Sequence, residues 1–123
     1  MPSLPVRQLT AAARISAERA PLMPRYLEGK VVYVIGAGGD DHRGVAVALA
    51  EAGADVAIGG RGGMPDEVPL HSIANEIWAM GRRSAVVPVE AGDLTSFAEA
   101  LTRVMEELGR ADLVLHCDPV LQV

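Results

Sequence analysis

The sequence predicts an α/β fold in which a four-stranded parallel sheet carries helices on both faces. Three observations predict it. Four short runs rich in β-branched residues alternate with three helix-forming stretches over Lys30 to His116. A glycine stands where each helical pattern stops, at Gly53, Gly81 and Gly109. Every joint is short, and such alternation favours parallel strands joined by right-handed crossovers.

The elements follow in order. Val31-Val32-Tyr33-Val34-Ile35 has the continuous apolar character of a strand buried on both faces. The loop Gly36-Ala37-Gly38-Gly39-Asp40-Asp41-His42-Arg43-Gly44 comes next, and Val45 to Ala52 reads as the first helix. Asp55-Val56-Ala57-Ile58 is the second strand, ending in Gly59-Gly60-Arg61-Gly62-Gly63. Pro65 to Met80 reads as the second helix, with Ile73, Ile77, Trp78 and Met80 as its apolar face. Ala85 to Val89 is the third strand. Leu94, Phe97, Leu101, Val104 and Leu108 recur at about 3.6 residues, the inner stripe of a third helix. Asp112 to His116 is the fourth strand. Seven such elements match one mononucleotide-binding half of a doubly wound, Rossmann-like αβα sandwich, plus one strand beyond the switch point. The expected strand order is 3-2-1-4.

The domain organisation is an arm followed by a body. Residues 1–25 hold four arginines against Glu18, and four prolines bracket a helix-forming stretch from Val6 to Ala20. This is expected to be a basic arm with one short helix. An arginine-rich, acid-poor start also has the composition of an organelle transit segment. The body, 26–123, carries 7 basic and 15 acidic residues.

Composition excludes several function classes. A net charge of −5 argues against a nucleic-acid binder, and four aromatics are too few for a base-stacking platform. No apolar run approaches the roughly 20 residues of a membrane span. One cysteine, Cys117, excludes a disulfide framework and a cysteine-cluster zinc site. The expectation is a cytoplasmic protein.

The run LEGKVVYVIGAGGDDHRGVAVALAEAGADVAIGGR, followed by GRRSAVVPVEAGDLTSFAEALTRVMEELGRADLVLHCDPV, resembles the opening of the short-chain dehydrogenase/reductase family. The resemblance covers Leu27 to about Val120. It implies a dinucleotide cofactor, NADP or NAD, in the first loop. The family's loop pattern is TGxxxGxG. Gly36 matches its first glycine, with Gly38 and Gly39 inside the loop. Ile35 replaces the threonine, Asp40 the second glycine and His42 the third. A carboxylate at Asp40 occupies space the backbone needs and repels a phosphate. At about 4 Å and an effective dielectric near 20 that repulsion is on the order of 4 kcal/mol. His42 and Arg43 are expected to offset part of it.

The other family positions are mixed. Arg61 stands where NADP-preferring members carry a basic residue near the 2′-phosphate, and reads equally as a solvated loop arginine. Glu90 stands at the acidic position near adenine. Asp93 reads as a further acidic contact or as the N-cap of the third helix. The NNAG turn after the fourth strand is replaced by His116-Cys117-Asp118-Pro119. No position hosts the family's catalytic serine, tyrosine and lysine, so no catalytic residue is assigned and the catalytic half is expected to be absent. The candidate cofactor-binding residues are Gly36, Gly38, Gly39, Arg61 and Glu90. A Cys117–His42 or Cys117–His116 pair and an Asp40–Asp41 cation site are weaker constellations, set against a structural turn and a solvated loop. His71 reads as a surface histidine.

Two functional readings follow. One is a non-catalytic, dehydrogenase-like subunit that scaffolds or regulates an oxidoreductase by forming an oligomer with itself or with a related subunit. The other is an NAD(P)-binding module, or the N-terminal half of a split enzyme of that family.

Overall fold

A computed structural model describes residues 26–117. The expected basic arm and Asp118-Pro119 lie outside the described residues. The elements are β1 (Val31–Ile35), α1 (Asp40–Glu51), β2 (Asp55–Gly59), α2 (Glu67–Ala79), β3 (Ser84–Val86), α3 (Leu94–Leu108) and β4 (Leu113–His116). The sheet has the expected order β3-β2-β1-β4, and every pair is parallel.

Strand β1 lies at the centre, paired with β2 from Val31↔Asp55 to Ile35↔Gly59 and with β4 from Val32↔Leu113 to Ile35↔His116. All five of its residues are buried, which is why it is apolar without alternation. Its side chains divide between two cores. Val32 and Val34 pack with Val56 and Ile58 against Ala46 and Ala50 of α1 and Leu70, Ile73 and Ile77 of α2. Val31, Tyr33 and Ile35 pack with Ala57 and Val87 against Ala100, Val104 and Leu108 of α3. Helices α1 and α2 thus cover one face and α3 the other. The chain passes from one face to the other between β3 and α3, so the loops after β1 and β3 leave the sheet toward opposite faces and a crevice opens at its carboxyl end.

Four local expectations are corrected. Helix α1 starts at Asp40 rather than Val45, so the stretch from Asp40 to Gly44 is helix and not loop. Gly39 is its extended N-cap residue, and Asp40 and Asp41 occupy the first turn, where carboxylates complement the helix dipole. Strand β3 ends at Val86 rather than Val89, and Pro88 beyond it sits at an edge position whose N–H would face away from β2. The ladder nevertheless continues past it, with Val87 N–H on Ile58 O and Val89 N–H on Gly60 O. Trp78 is 69% exposed, and Met80 is also exposed. The buried face of α2 is Leu70, Ile73, Ala74 and Ile77, and Trp78 is turned about 100° from Ile77 on the helix. Leu94 is 84% exposed rather than part of the inner stripe of α3. It is the first helical residue and reaches past the sheet to the rim of the crevice.

Asp112 fastens β4 to β1. Its Oδ2 accepts the Val31 N–H at 2.8 Å and its Oδ1 accepts Arg110 Nη2 at 2.7 Å. These bonds lower its pKa. Among the described residues, no helix is long and apolar enough to cross a membrane.

Candidate functional site

The crevice is a cleft of about 830 Å³ at the carboxyl ends of the strands. Its floor and walls include Ile35, Gly36, Gly60, Leu70, Val89 and Phe97, and its rim carries Arg61, Asp66, Glu90, Asp93, Leu94 and His116. Gly36 ends β1 and donates its N–H to Gly59 O at 3.0 Å. Gly60 allows the two strand ends to close on each other, because a Cβ there would lie 2.6 Å from Gly36 O.

Three of the five candidate cofactor residues, Gly36, Arg61 and Glu90, line this cleft. Gly38 and Gly39 are not among the lining residues. Gly38 has a φ of +86°, which only glycine adopts freely, and a Cβ there would meet the Pro69 ring of α2 at 2.8 Å. Gly39 caps α1 beside open space. Arg61 Nε stands 3.8 Å from Asp66 Oδ2, and both side chains are largely exposed. Glu90 is exposed, and its backbone N–H donates to Ser96 Oγ at 2.8 Å. Asp93 is the N-cap of α3: its Oδ1 accepts the N–H groups of Thr95 and Ser96.

The decisive residue of the turn between β1 and α1 is His42. It is 1% exposed, and its ring lies against Gly36, where a Cβ would be 2.8 Å from His42 Cγ. Nδ1 accepts the Gly38 N–H at 3.0 Å, so Nε2 carries the proton and donates to Val34 O at 3.0 Å. Burial lowers its pKa, opposed by the Val34 bond. The ring is therefore neutral. The expectation that His42 offsets the charge of Asp40 is corrected on this ground. Arg43 is also engaged elsewhere, 3.7 Å from Glu76 of α2. Sequence reasoning placed His42 at a glycine position but missed its role as a bridge, because the Val34 carbonyl it needs is revealed only by the packed strand.

The same bonds remove His42 as a base for Cys117, since both ring nitrogens are engaged. The Cys117 thiol is half-buried, with its pKa raised first by burial and then by Asp41. His116 stacks on Phe97 with ring centroids 6.4 Å apart. His71 is exposed and bonds Glu67 one turn earlier at 3.3 Å. Among the described residues, no group of three or more His, Cys, Asp or Glu comes together to hold a metal.

A dinucleotide needs its diphosphate at the N-terminus of α1, on free N–H groups and the positive end of the helix. Here the Gly38 N–H is taken by His42, and two carboxylates follow in the first turn. Asp40 is exposed and does not line the cleft, so it opposes an anion by charge rather than by bulk. The start of α1, beside the cleft, does not fit a diphosphate. The cleft itself, with Arg61 and Glu90, keeps polar groups that a ligand can reach.

No family model matches the chain. The (-)-trans-carveol dehydrogenase of Rhodococcus erythropolis is 34% identical over 98 residues, 72% of this chain and 35% of that protein. An L-rhamnose 1-dehydrogenase (NAD(P)(+)) of a Sphingomonas species is 32% identical over 91 residues, 74% of this chain and 35% of that protein. The crystal structure of a short-chain type dehydrogenase/reductase from Mycobacterium marinum superposes with a TM-score of 0.66 at 29% identity. It covers 76% of this chain and 36% of that one. The chain thus spans about a third of the length of the curated relatives it matches. With the sheet order, the switch-point cleft and these relatives in agreement, the chain belongs to the short-chain dehydrogenase/reductase family, to whose N-terminal portion it corresponds.

Proposed function

We propose that this chain is a non-catalytic, dehydrogenase-like subunit. It acts in the cytoplasm by associating with a second copy or with a related oxidoreductase subunit rather than by turning over a dinucleotide. One observation carries the reading. The turn that holds the diphosphate in a dinucleotide-binding fold is closed by His42 on Gly38, and Asp40 and Asp41 charge the helix end negatively. The edge of β4 supports the association, because its Leu113 is 46% exposed.

Calorimetric titration of the full chain with NADH and with NADPH tests this. The expected result is no saturable heat at micromolar ligand for either. Micromolar binding overturns the reading and favours the second one, an NAD(P)-binding module or the N-terminal half of a split enzyme, which Arg61 and Glu90 in the cleft support. Light scattering coupled to size exclusion tests the association: a dimer or larger species is expected, and a stable monomer at micromolar concentration argues against it.

A further inference from the structure

We infer that the outer face of α3 is a docking surface for the arm of a second copy of this chain, with residues 6–20 of one copy lying antiparallel along α3 of the other. This rests on the association proposed above and names the surface and the segment that make it. The apolar face of α3 is wider than the sheet it covers. Ala100, Val104 and Leu108 are buried against the strands. Leu94, Ala98, Leu101 and Met105 follow one another at four, three and four residues and form a second stripe, about 90° away on the helix. Leu94 and Met105 are exposed, at 84% and 47%, Ala98 is exposed, and Leu101 is half-buried. An apolar stripe left open over three turns of helix marks an interface.

Pattern and charge identify the occupant. Between Pro5 and Pro21, Val6, Leu9, Ala13, Ala17 and Ala20 recur at three and four residues, and this stretch equals the 15 residues of α3 in length. Arg7 and Arg14 stand seven residues apart on one flank of that pattern. Glu99 and Glu106 stand seven apart on the flank of the α3 stripe. Both are exposed and have no ion pair among the described residues, since Arg103 is taken by Glu107. In an antiparallel pair with Arg7 opposite Glu106 and Arg14 opposite Glu99, both charge pairs fall on the same side of the contact. Leu9 then sits between Leu101 and Met105, and Ala17 between Leu94 and Ala98. The arm of the same copy does not reach this position. Antiparallel docking puts Ala20 beside Leu94, at the carboxyl end of the sheet, whereas Tyr26 lies at the amino end, next to the bond from Leu27 N–H to Ala52 O. The six steps from Ala20 to Tyr26 span at most about 22 Å, no more than the length of α3, and the path also has to cross from the α3 face to the α1 face. Two copies that exchange arms make an isologous pair.

A charge swap in the full chain, read by light scattering coupled to size exclusion, tests this. The native chain is expected to be a dimer that weakens as salt rises. Arg7→Glu/Arg14→Glu and Glu99→Arg/Glu106→Arg are each expected to raise the dissociation constant about tenfold. The variant that combines all four substitutions is expected to recover most of that loss. Should Glu99→Arg/Glu106→Arg fail to fold, the arm reversal, which leaves the sheet and its three helices unchanged in sequence, reads the same contact. A dimer that neither reversal weakens, or a loss that the combined variant does not recover, overturns this inference alone and leaves association through the edge of β4. A native chain that stays monomeric at micromolar concentration overturns it together with the association reading.

Discussion

The imidazole of His42 rests directly on Gly36, and the contact leaves no room for a Cβ: one built on Gly36 would lie 2.8 Å from His42 Cγ. The ring cannot swing aside freely, since Val34 O and the Gly38 N–H hold its two nitrogens. Gly36→Ala is therefore expected to destabilise the fold by about 1–3 kcal/mol, the usual cost of overpacking. In Gly36→Ala/His42→Ala the clash is gone, so the two losses are expected to be strongly non-additive. Urea unfolding of the two single variants and the double variant checks this.

His42 also predicts the response to acid. Its pKa is lowered in the folded chain, so the unfolded state binds the proton more readily. The stability it contributes is fully present above the unfolded value of about 6.5. It is lost as pH falls through that value toward the lower folded one. Protonation also places an Nδ1–H against the Gly38 N–H, two donors face to face. Thermal unfolding between pH 7.5 and about pH 5 is expected to show a falling midpoint in the native chain. The fall is expected to be smaller in His42→Gln, compared at matched ionic strength.

Tyr33 reaches from β1 across β2 to the end of β3. Its hydroxyl donates to Val87 O at 2.7 Å, and its ring fills the space above Gly59, where a Cβ would lie 2.6 Å from the ring. Tyr33→Phe leaves a buried carbonyl without this partner and is expected to cost about 1–2 kcal/mol. Gly59→Ala is expected to cost more, because the residue opposed is a ring at the centre of the core. Denaturant midpoints with unchanged slopes check both.

Asp93 is a capping residue, so Asp93→Ala is expected to lower stability by about 1 kcal/mol and to fray the start of α3. Amide exchange at Thr95 and Ser96 is expected to rise in that variant. Asp93→Asn, which still accepts a bond from the helix N–H groups, is expected to retain most of the stability.

Trp78 points into solvent, so Trp78→Ser is expected to shift stability by no more than about 0.5 kcal/mol. Its fluorescence in the native chain is expected to be that of a solvated indole, readily quenched by iodide. A buried emission spectrum or strong protection from the quencher would contradict the exposed face of α2.

The sheet order and the three-layer arrangement were legible in the sequence because their signals are local. A run such as Val31 to Ile35 is a buried strand on composition, glycines mark the helix ends, and the handedness of parallel crossovers then leaves few topologies. The candidate site was legible in part. Gly36, Arg61 and Glu90 do meet at one cleft, since the loops after parallel strands share one end of the sheet. Gly38 and Gly39 do not, because the turn takes the path that His42 dictates.

By itself, then, the sequence determined the framework: four strands, three helices, their order, and the end of the sheet where a ligand meets them. Only the tertiary structure decided the character of that end. Whether His42 is a solvated cation or a buried neutral bridge depends on the Val34 carbonyl lying within reach of its ring. The start of α1 at Asp40, with Gly39 as its N-cap and two carboxylates in its first turn, likewise came only from the fold. Periodicity carries burial, but a hydrogen bond between residues on different elements exists only once both are in place.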